Sequence, residues 1–218
     1  MNVIWFGGNS EIKAINIDCP NLKGTKFTLV INSNRKVIHL PTLGSQFVQD
    51  ALAAAATSFC LGFSLDEIKT GLESFRVPEH RMRLIRLKNG CLILDDSYNN
   101  NPQAAKEALK TFTEISGRKK KIVVFGDMLE LGSLEKRFHK EIGRVLAKMK
   151  LNYLIGVGPA SKDLVREAEI KLGKNKAIWT SSSDGVLKYL KPYLMENTVV
   201  LIKGSRSIGL DKVVLELL

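Results

Sequence analysis

From Arg81 to the C-terminus, short apolar runs alternate with longer amphipathic segments. The apolar runs are predicted strands, and they read RLIRLK, CLILDDS, KIVVFGD, NYLIGVG, AIWT and TVVLIKGS. Helical spacing of apolar residues predicts helices over 102–115, 134–149, 160–172 and 183–194, and a last one near 207–217. Because each helix returns the chain for another parallel strand, this alternation predicts an α/β fold with a Rossmann-like, doubly wound, mostly parallel sheet.

The first 80 residues have a different pattern. The segments VIWF, EIKAINID, KFTLVIN and KVIHL are separated by turn residues, which predicts a β-meander. Two helices are predicted after it, over 45–62 and 65–75, with Gly62 ending the first and Ser64 capping the second. We therefore expect two domains, residues 1–79 and residues 80–218. Only the second has a full set of alternating elements, so we expect it to fold alone and the first part not to.

Length and composition are those of a globular protein that is expected to reside in the cytoplasm. The chain has 218 residues, of which 44% are hydrophobic. No apolar run approaches the roughly 20 residues that span a bilayer, so no membrane insertion is expected. The three cysteines, Cys19, Cys60 and Cys91, are far apart and lie in apolar contexts, which predicts reduced thiols in the core.

The formal net charge of +11 is unevenly distributed along the chain. Residues 1–80 contain seven Lys/Arg and seven Asp/Glu, whereas residues 81–218 contain 26 and 15. A basic domain suits phosphate-rich ligands or RNA, but the simplest interpretation of a bare excess is a hydrated surface. The run RKKK at 118–121 is most simply a solvated turn.

Polar loops follow the predicted strands at their carboxyl ends. They are DDSYNNNP, GDMLELG, GVGPAS and KGSRSIG. In an open parallel sheet, ligands bind in the crevice outside the carboxyl ends of the strands. These loops are therefore the candidate ligand-binding rim.

Two of these loops each allow two interpretations. Asp95, Asp96 and the asparagines at 99–101 suit ligand binding, but short polar side chains also cap helices and form turns. The segment 204–209 could cradle a phosphate or simply begin a helix, and the P-loop spacing GxxxxGK[ST] occurs nowhere in the chain.

The loop GDMLELG and the helix after it leave similar alternatives open. Asp127 and Glu130 could hold a cation or cap the next helix. His139 lies on a predicted helix with Glu135 four residues before it, where a lone histidine is more often a surface or core residue than a catalytic one.

Five segments together resemble the Mur ligase family, in the branch that adds D-alanyl-D-alanine to a UDP-muramoyl tripeptide. They are HRM at 80–82, DDSYNNNP at 95–102, VVFGDMLELG at 123–132, the histidine and EIG within 139–143, and LIKGSR at 201–206. All occur in the family's order and strand context. Residues 1–79 are similar to the last part of the family's central ATPase domain.

The resemblance is incomplete in two respects. Members of the family are about twice as long, and their additional half contains the UDP-sugar domain and the P-loop with its lysine and acidic residues. Where the family has His-Asn and a later Asn facing adenine, this chain has Gln46, Phe47 and Asp50. The resemblance therefore implies an incomplete ATP site and leaves adenine recognition open.

The chemistry implied by the resemblance is ATP- and Mg²⁺-dependent amide formation. In the family, the tripeptide carboxylate accepts a phosphoryl group, and the amine of the dipeptide then displaces it. The resemblance assigns catalytic roles to Arg81 and Lys203. It assigns nucleotide or substrate binding to Asp96, Tyr98, Asn99, Asn101 and Ser205, and no metal ligand to this chain. It also implies that the full-length enzyme is a monomer whose partners are the UDP-muramoyl tripeptide and D-alanyl-D-alanine.

Two other classes of function compete with a ligase. One is a stand-alone nucleotide- or RNA-binding module, and the other is a non-catalytic interaction protein. Lys and Arg are dispersed along the sequence, and no aromatic RNA-binding pattern accompanies them, so no nucleic-acid partner is expected.

Overall fold

A computed structural model describes residues 3–218, apart from the side chains of Pro20 and Asn21. The chain forms two units, Met1–Val77 and Pro78–Leu218. This division falls two residues before the expected boundary between 79 and 80.

Unit 1 combines an antiparallel sheet with two helices. Its elements are β1 (Ile12–Asn21), β2 (Gly24–Ile31), β3 (Asn34–Leu40), α1 (Phe47–Cys60) and α2 (Leu65–Glu73). The strands pair in the order β1-β2-β3, as expected of a meander. Side chains of β2 alternate, so Phe27 and Leu29 are buried and pack in one cluster with Leu52 of α1. The prediction of a strand at VIWF is wrong, because this segment makes only one isolated bridge, between Phe6 and Ile12.

The junction between α1 and α2 has the predicted start and stop signals. Gly62, just past α1, has a φ of +87°, a left-handed conformation that favours glycine. Ser64 and Glu67 form a capping box, in which the Glu67 amide donates to Ser64 Oγ and the Ser64 amide donates to the Glu67 carboxylate. The hydrogen bonds from Ser64 lower the pKa of Glu67.

The first turn of α1 contains Gln46, Phe47 and Asp50, the residues that depart from the family pattern. Gln46 is the N-cap residue and makes no side-chain capping bond, while Asp50 supplies an acidic residue to the first turn. Their effect on adenine recognition stays a prediction.

Unit 2 contains six strands and five α-helices within the described residues. They are β4 (Arg83–Arg86), β5 (Leu92–Asp96), α3 (Pro102–Ser116), β6 (Lys120–Gly126), α4 (Glu135–Lys148), β7 (Tyr153–Val157), α5 (Ser161–Leu172), β8 (Ala177–Thr180), α6 (Val186–Leu190), β9 (Thr198–Lys203) and α7 (Leu210–Leu215). The sheet order is β4-β5-β9-β6-β7-β8, and every pair except β4–β5 is parallel. The predicted mostly parallel α/β sheet is confirmed.

Helices cover both faces of this sheet. Leu190 of α6 and Val213 of α7 pack in one cluster with Val124 and Ile202 of the central strands. Gly156 of β7 faces the other side, where a Cβ atom would lie 2.4 Å from Val165 of α5. Since successive side chains of a strand point to opposite faces, α5 covers the second face. Helix α4 packs beside α5, because a Cβ on Gly143 would lie 2.5 Å from the Leu164 carbonyl oxygen. The longest helix, α3, has 15 residues, and no helix among residues 3–218 is long and apolar enough to cross a membrane.

The three cysteine thiols are free, but only one lies in the core. Cys91 is fully buried before β5, Cys19 is half-buried, and Cys60 is exposed at the last position of α1. The expectation of three core thiols is therefore correct for Cys91, holds only in part for Cys19, and is wrong for Cys60, because that position faces outward where the helix ends.

Candidate active site

The carboxyl ends of β5, β9 and β6 lie side by side in the middle of the sheet of unit 2. After β5 the chain leaves a space in the sheet, forms β6 beyond it and continues outward to β8. It then returns to form β9 in the space between β5 and β6, so the direction of winding reverses here. Gly126 is the last residue of β6, and Gly204 directly follows β9. A Cβ on Gly204 would lie 3.2 Å from the Gly126 Cα. A side chain at either position would be crowded, so the two glycines favour the close approach of the strand ends.

A buried ion pair joins β5 to β9 at this edge. Asp96 and Lys203 are register partners on the two parallel strands, and Lys203 Nζ lies 2.6 Å from Asp96 Oδ2. The Lys203 ammonium also donates to the carbonyl of Asn99 at 3.0 Å. Lys203 is 1% exposed and Asp96 is 8% exposed, so each charge depends on the other for compensation.

Asp95, the neighbour of Asp96, points away from that pair and holds the segment before β4. Its Oδ2 lies 2.8 Å from His80 Nδ1, and its Oδ1 accepts from the Ser97 hydroxyl at 2.7 Å. The Met82 amide donates to Asp96 Oδ1 at 3.2 Å. The two carboxylates therefore fix the residues on either side of Arg81.

The backbone around Arg81 is strained in a way that presents its side chain. His80 and Met82 have φ values of +60° and +50°, which non-glycine residues rarely adopt. Such strain persists only where surrounding contacts hold it, and it clusters at functional sites. The amide of Tyr98 donates to the His80 carbonyl at 3.1 Å, which adds a further contact to this segment.

Two guanidinium groups converge on the ring of Tyr98. The Arg81 guanidinium carbon lies 4.3 Å from the ring centroid and that of Arg206 lies 5.7 Å away. Arg206 is also paired with Asp211 at 3.1 Å. Tyr98 is 44% exposed, so this cationic cluster is open to solvent. Guanidinium groups match the planar oxygens of carboxylates and phosphates, so the cluster is suited to bind an anion.

The three asparagines of the loop have separate roles. Asn101 caps α3 by accepting from the Ala104 amide at 2.8 Å. Asn99 is exposed and accepts from the Asn100 amide at 2.8 Å through its side chain. Asn100 is 3% exposed and donates to the Gly126 carbonyl, whereas its Oδ1 has no hydrogen-bond partner among the residues that the structure describes.

Asp127 caps a helix, but not the one that follows it. Its carboxylate accepts from the amides of Ala160 and Ser161 at 3.1 and 2.6 Å, so it caps α5. Gly158 leaves space for it, because a Cβ there would lie 2.5 Å from Asp127 Oδ2. Glu130 is exposed and has a φ of +63°.

His139 and Ser205 hold the loop after β6. His139 is fully buried, its Nε2 accepts from the Met128 amide at 3.0 Å, and its Nδ1 donates to the Glu135 carbonyl at 2.8 Å. The Ser205 hydroxyl accepts from the Leu129 amide at 3.1 Å. In this structure both side chains therefore position backbone.

Replacing His139 with leucine is expected to lower the free energy of unfolding by about 1–3 kcal/mol, because the buried Met128 amide loses its acceptor. His139→Gln is the matched variant, since its carbonyl oxygen can accept near the position of Nε2. Urea unfolding of both variants measures the difference. Equal losses in both would contradict the assigned hydrogen bond.

The predicted site residues are all in unit 2, but they differ in their exposure to solvent and in whether protein atoms already occupy their polar groups. Arg81, Tyr98 and Asn99 are exposed at the rim, while Asp96, Lys203 and Ser205 are buried and bonded to protein atoms. Asn101 is exposed but occupied as a helix cap. Their roles toward a ligand stay predictions.

The resemblance assigned no role to Arg206, Asn100 or His80, although all three lie in segments that the sequence singled out. Arg206 and Asn100 adjoin predicted site residues in KGSR and YNNN, so sequence proximity was the available signal. The partner of His80, by contrast, is 15 residues away and could not be identified without the strand pairing.

No group of three or more His, Cys, Asp or Glu side chains in residues 3–218 is arranged to hold a metal ion. The exposed groups that suit a nucleotide phosphate or a carboxylate are instead the guanidiniums of Arg81 and Arg206. Their planar donors fit such anions, and Arg81 has no ion pair within the described part of the chain.

Comparison with known proteins places these residues in a family. The model of the Mur ligase glutamate ligase domain matches residues 80–206. UDP-N-acetylmuramoyl-tripeptide–D-alanyl-D-alanine ligases from Buchnera aphidicola (Baizongia pistaciae) and Escherichia coli are 35% and 33% identical over 96% and 94% of this chain. The chain spans 44% of the length of each of them.

Solved structures show the same relationship. A crystal structure of MurF from Acinetobacter baumannii is similar with a TM-score of 0.85 and 27% identity, over 97% of this chain and 46% of that one. The MurF ligase of Thermotoga maritima in complex with ADP has the same fold, with a TM-score of 0.76, 24% identity and coverage of 96% of this chain and 46% of that one. Because the family model matches more than half of its residues, this chain belongs to the Mur ligase family.

Proposed function

We propose that this chain is part of a cytoplasmic, ATP-dependent ligase that adds D-alanyl-D-alanine to a UDP-N-acetylmuramoyl tripeptide during synthesis of a peptidoglycan precursor. The names of its relatives support this reaction. The observation that carries the proposal is the exposed cationic cluster of Arg81, Tyr98 and Arg206 at the carboxyl ends of the strands. It is a suitable place for the anions that such a ligase must bind.

The chemistry explains why exposed cations are needed more than a nucleophile. ATP supplies the phosphoryl group that activates the tripeptide carboxylate. In the complete enzyme, Mg²⁺ would neutralise part of the phosphate charge. The contribution of the protein to such transfers is positioning and stabilisation of changing negative charge. A guanidinium held by strained backbone is preorganised for that purpose, since little reorganisation is required when charge develops.

Each residue of the rim has a proposed part in this mechanism. Arg81 binds phosphate oxygens through its planar fork, and Tyr98 limits where its guanidinium can lie. Asp96 and Lys203 keep β5 and β9 in register beneath the rim, and Asn99 lies exposed on it. The buried Oδ1 of Asn100 is an acceptor available to a donor group of a ligand or to water.

Turnover requires more than this chain. It spans less than half the length of the curated relatives it matches, 44% for the first of them, and the P-loop spacing GxxxxGK[ST] is absent from its 218 residues. Without P-loop amides and lysine, the β- and γ-phosphates lack their usual binding site. We propose that the complete enzyme is a monomer and that the remaining half supplies those groups.

The isolated chain is therefore expected to release no phosphate from ATP in the presence of Mg²⁺, UDP-muramoyl tripeptide and D-alanyl-D-alanine. A coupled phosphate assay at several concentrations of the chain measures this. Turnover that is proportional to the chain and survives repurification would contradict the assignment of the phosphate site to another part of the enzyme.

A further inference from the structure

The loops that precede the parallel strands of unit 2 form the edge of the sheet opposite the candidate site. These loops are residues 87–91, 117–119, 149–152, 173–176 and 194–197, and we include Lys120, the first residue of β6, with the second of them. Hydrogen bonds show that several of them are neighbours. Asn89 Nδ2 donates to the Leu194 carbonyl at 3.0 Å, the Lys120 amide donates to the Asn197 carbonyl at 2.9 Å, and the Lys121 amide donates to Asn152 Oδ1 at 2.9 Å. We call these five loops the amino-edge surface.

The amino-edge surface is strongly basic. Its loops contain seven cationic residues and one acidic residue, Glu196, a local excess of six positive charges. The cationic residues are Lys88, Arg118, Lys119, Lys120, Lys150, Lys174 and Lys176. Much of the excess charge of the second half of the chain is thus collected at one edge of one sheet.

The charges of this surface are not neutralised by neighbouring carboxylates. Among the residues that the structure describes, none of its seven cations takes part in an ion pair. Helix faces of the same unit differ, since Lys106 pairs with Glu141 at 2.6 Å and Arg144 pairs with Glu167 at 3.3 Å. The amino-edge surface therefore keeps its positive field, whereas ion pairs neutralise part of the charge on the helix faces.

A cavity opens beside the same surface. It has a volume of about 400 Å³ and lies between the ends of α3 and α4. Lys121, Lys148 and Lys150 line it, together with the apolar side chains of Val145 and Met149. Three lysine side chains around a partly apolar cavity suit a ligand that joins a phosphate group to an apolar group.

We propose that the amino-edge surface binds the anionic phospholipid surface of a membrane without inserting into it. Clusters of four to eight Lys/Arg residues bind anionic lipids electrostatically, and each residue of the cluster adds to the binding free energy. The composition favours lipid over RNA, because six of the seven cations are lysines and the five loops contain no aromatic residue on which bases could stack. Met195, 51% exposed in one of these loops, adds apolar contact at the interface.

The orientation that follows leaves the candidate site accessible. Loops at the amino ends of parallel strands lie at the opposite edge from loops at the carboxyl ends, so binding by the amino-edge surface points the rim with Arg81 and Tyr98 away from the lipid. Membrane binding and catalysis then use different residues, so the proposal stands apart from the proposed reaction.

Vesicle sedimentation with the full chain tests the proposal. Vesicles of phosphatidylcholine alone are compared with vesicles that contain about one-third phosphatidylglycerol, at low salt and at about 0.5 M NaCl. The test variant carries Arg118→Glu, Lys120→Glu and Lys150→Glu, three exposed positions of the surface. The control carries Lys136→Glu, Arg137→Glu and Lys212→Glu, three exposed positions in the first turns of α4 and α7, with the same change of net charge.

We expect the chain to bind the anionic vesicles at low salt and to lose this binding at high salt. The affinity should be at least about tenfold weaker in the test variant and should change by less than about twofold in the control. Circular dichroism checks that both variants are folded, and single substitutions at Lys120 and Lys150 replace the triple variant if it is not. Absence of binding to anionic vesicles, equal binding to neutral ones, or equal weakening in both variants would overturn the proposal. Tighter binding to a single-stranded RNA that depends on the same three residues would replace lipid by nucleic acid as the partner.

Discussion

Replacing Lys203 with methionine is expected to lower the free energy of unfolding of unit 2 by about 3–5 kcal/mol. The substitution keeps the length of the side chain but leaves the buried Asp96 carboxylate without its partner, and an uncompensated buried charge is strongly destabilising. The carbonyl of Asn99 loses its donor as well. Urea unfolding of the chain Pro78–Leu218, or of the whole chain with a probe in unit 2, measures the change.

The double variant Lys203→Met, Asp96→Leu distinguishes the ion pair from simple packing. Replacing both partners with apolar side chains removes the isolated charge, so the double variant is expected to recover most of the lost stability. Additive losses in the two single variants and the double variant would show that the pair does not act as a unit. Because Asp96 is buried against Lys203, the single substitution Asp96→Ala is also expected to cost substantial stability.

Replacing Arg81 with alanine in a complete enzyme is expected to lower kcat/KM by about 10²–10³, the usual effect of removing one donor that stabilises developing charge. Stability should change by no more than about 1 kcal/mol, because an exposed cation–π contact contributes little. The complete enzyme can be a chimera in which this chain replaces the matching region of the Escherichia coli relative. Arg81→Lys keeps the charge but loses the planar fork, and an intermediate rate is expected.

A chimera of normal stability in which Arg81→Ala retains full kcat/KM would show that the guanidinium does not contact the reacting groups. Arg83→Ala is a suitable control, since Arg83 is also exposed, lies two residues away and begins β4. A loss of rate that is equal in the two variants would point to a general electrostatic effect and not to the position of Arg81.

The sheet and the polar loops at the carboxyl ends of its strands could be predicted because the periodicities that encode them are local. Apolar runs such as CLIL before Asp95 are long enough to identify a buried strand, and Asn101-Pro102 marks a helix start. The polar loops could then be assigned to one edge, since the carboxyl ends of parallel strands lie together. Asn101 does cap α3, as one of the two interpretations allowed.

Partners across the sheet could not be predicted, because they depend on strand order. β9 is the last strand in the chain, yet it lies between β5 and β6 and brings Lys203 to Asp96 across 107 residues. The same insertion brings Arg206 to Tyr98 and Ser205 to the loop after β6. Period-two alternation separates Asp95 from Asp96 onto opposite sides of the strand, but only the structure supplies the partners, His80 and Lys203.

The most direct test of the ligase assignment is the mass of the product that the chimera forms from UDP-muramoyl tripeptide, D-alanyl-D-alanine and ATP. We expect a product heavier than the tripeptide by the dipeptide less one water, with one ADP and one phosphate released for each product. Isotopically labelled D-alanyl-D-alanine should appear intact in that product. A folded chimera that hydrolyses ATP without incorporating the dipeptide, or that incorporates a single amino acid in its place, would contradict the assignment.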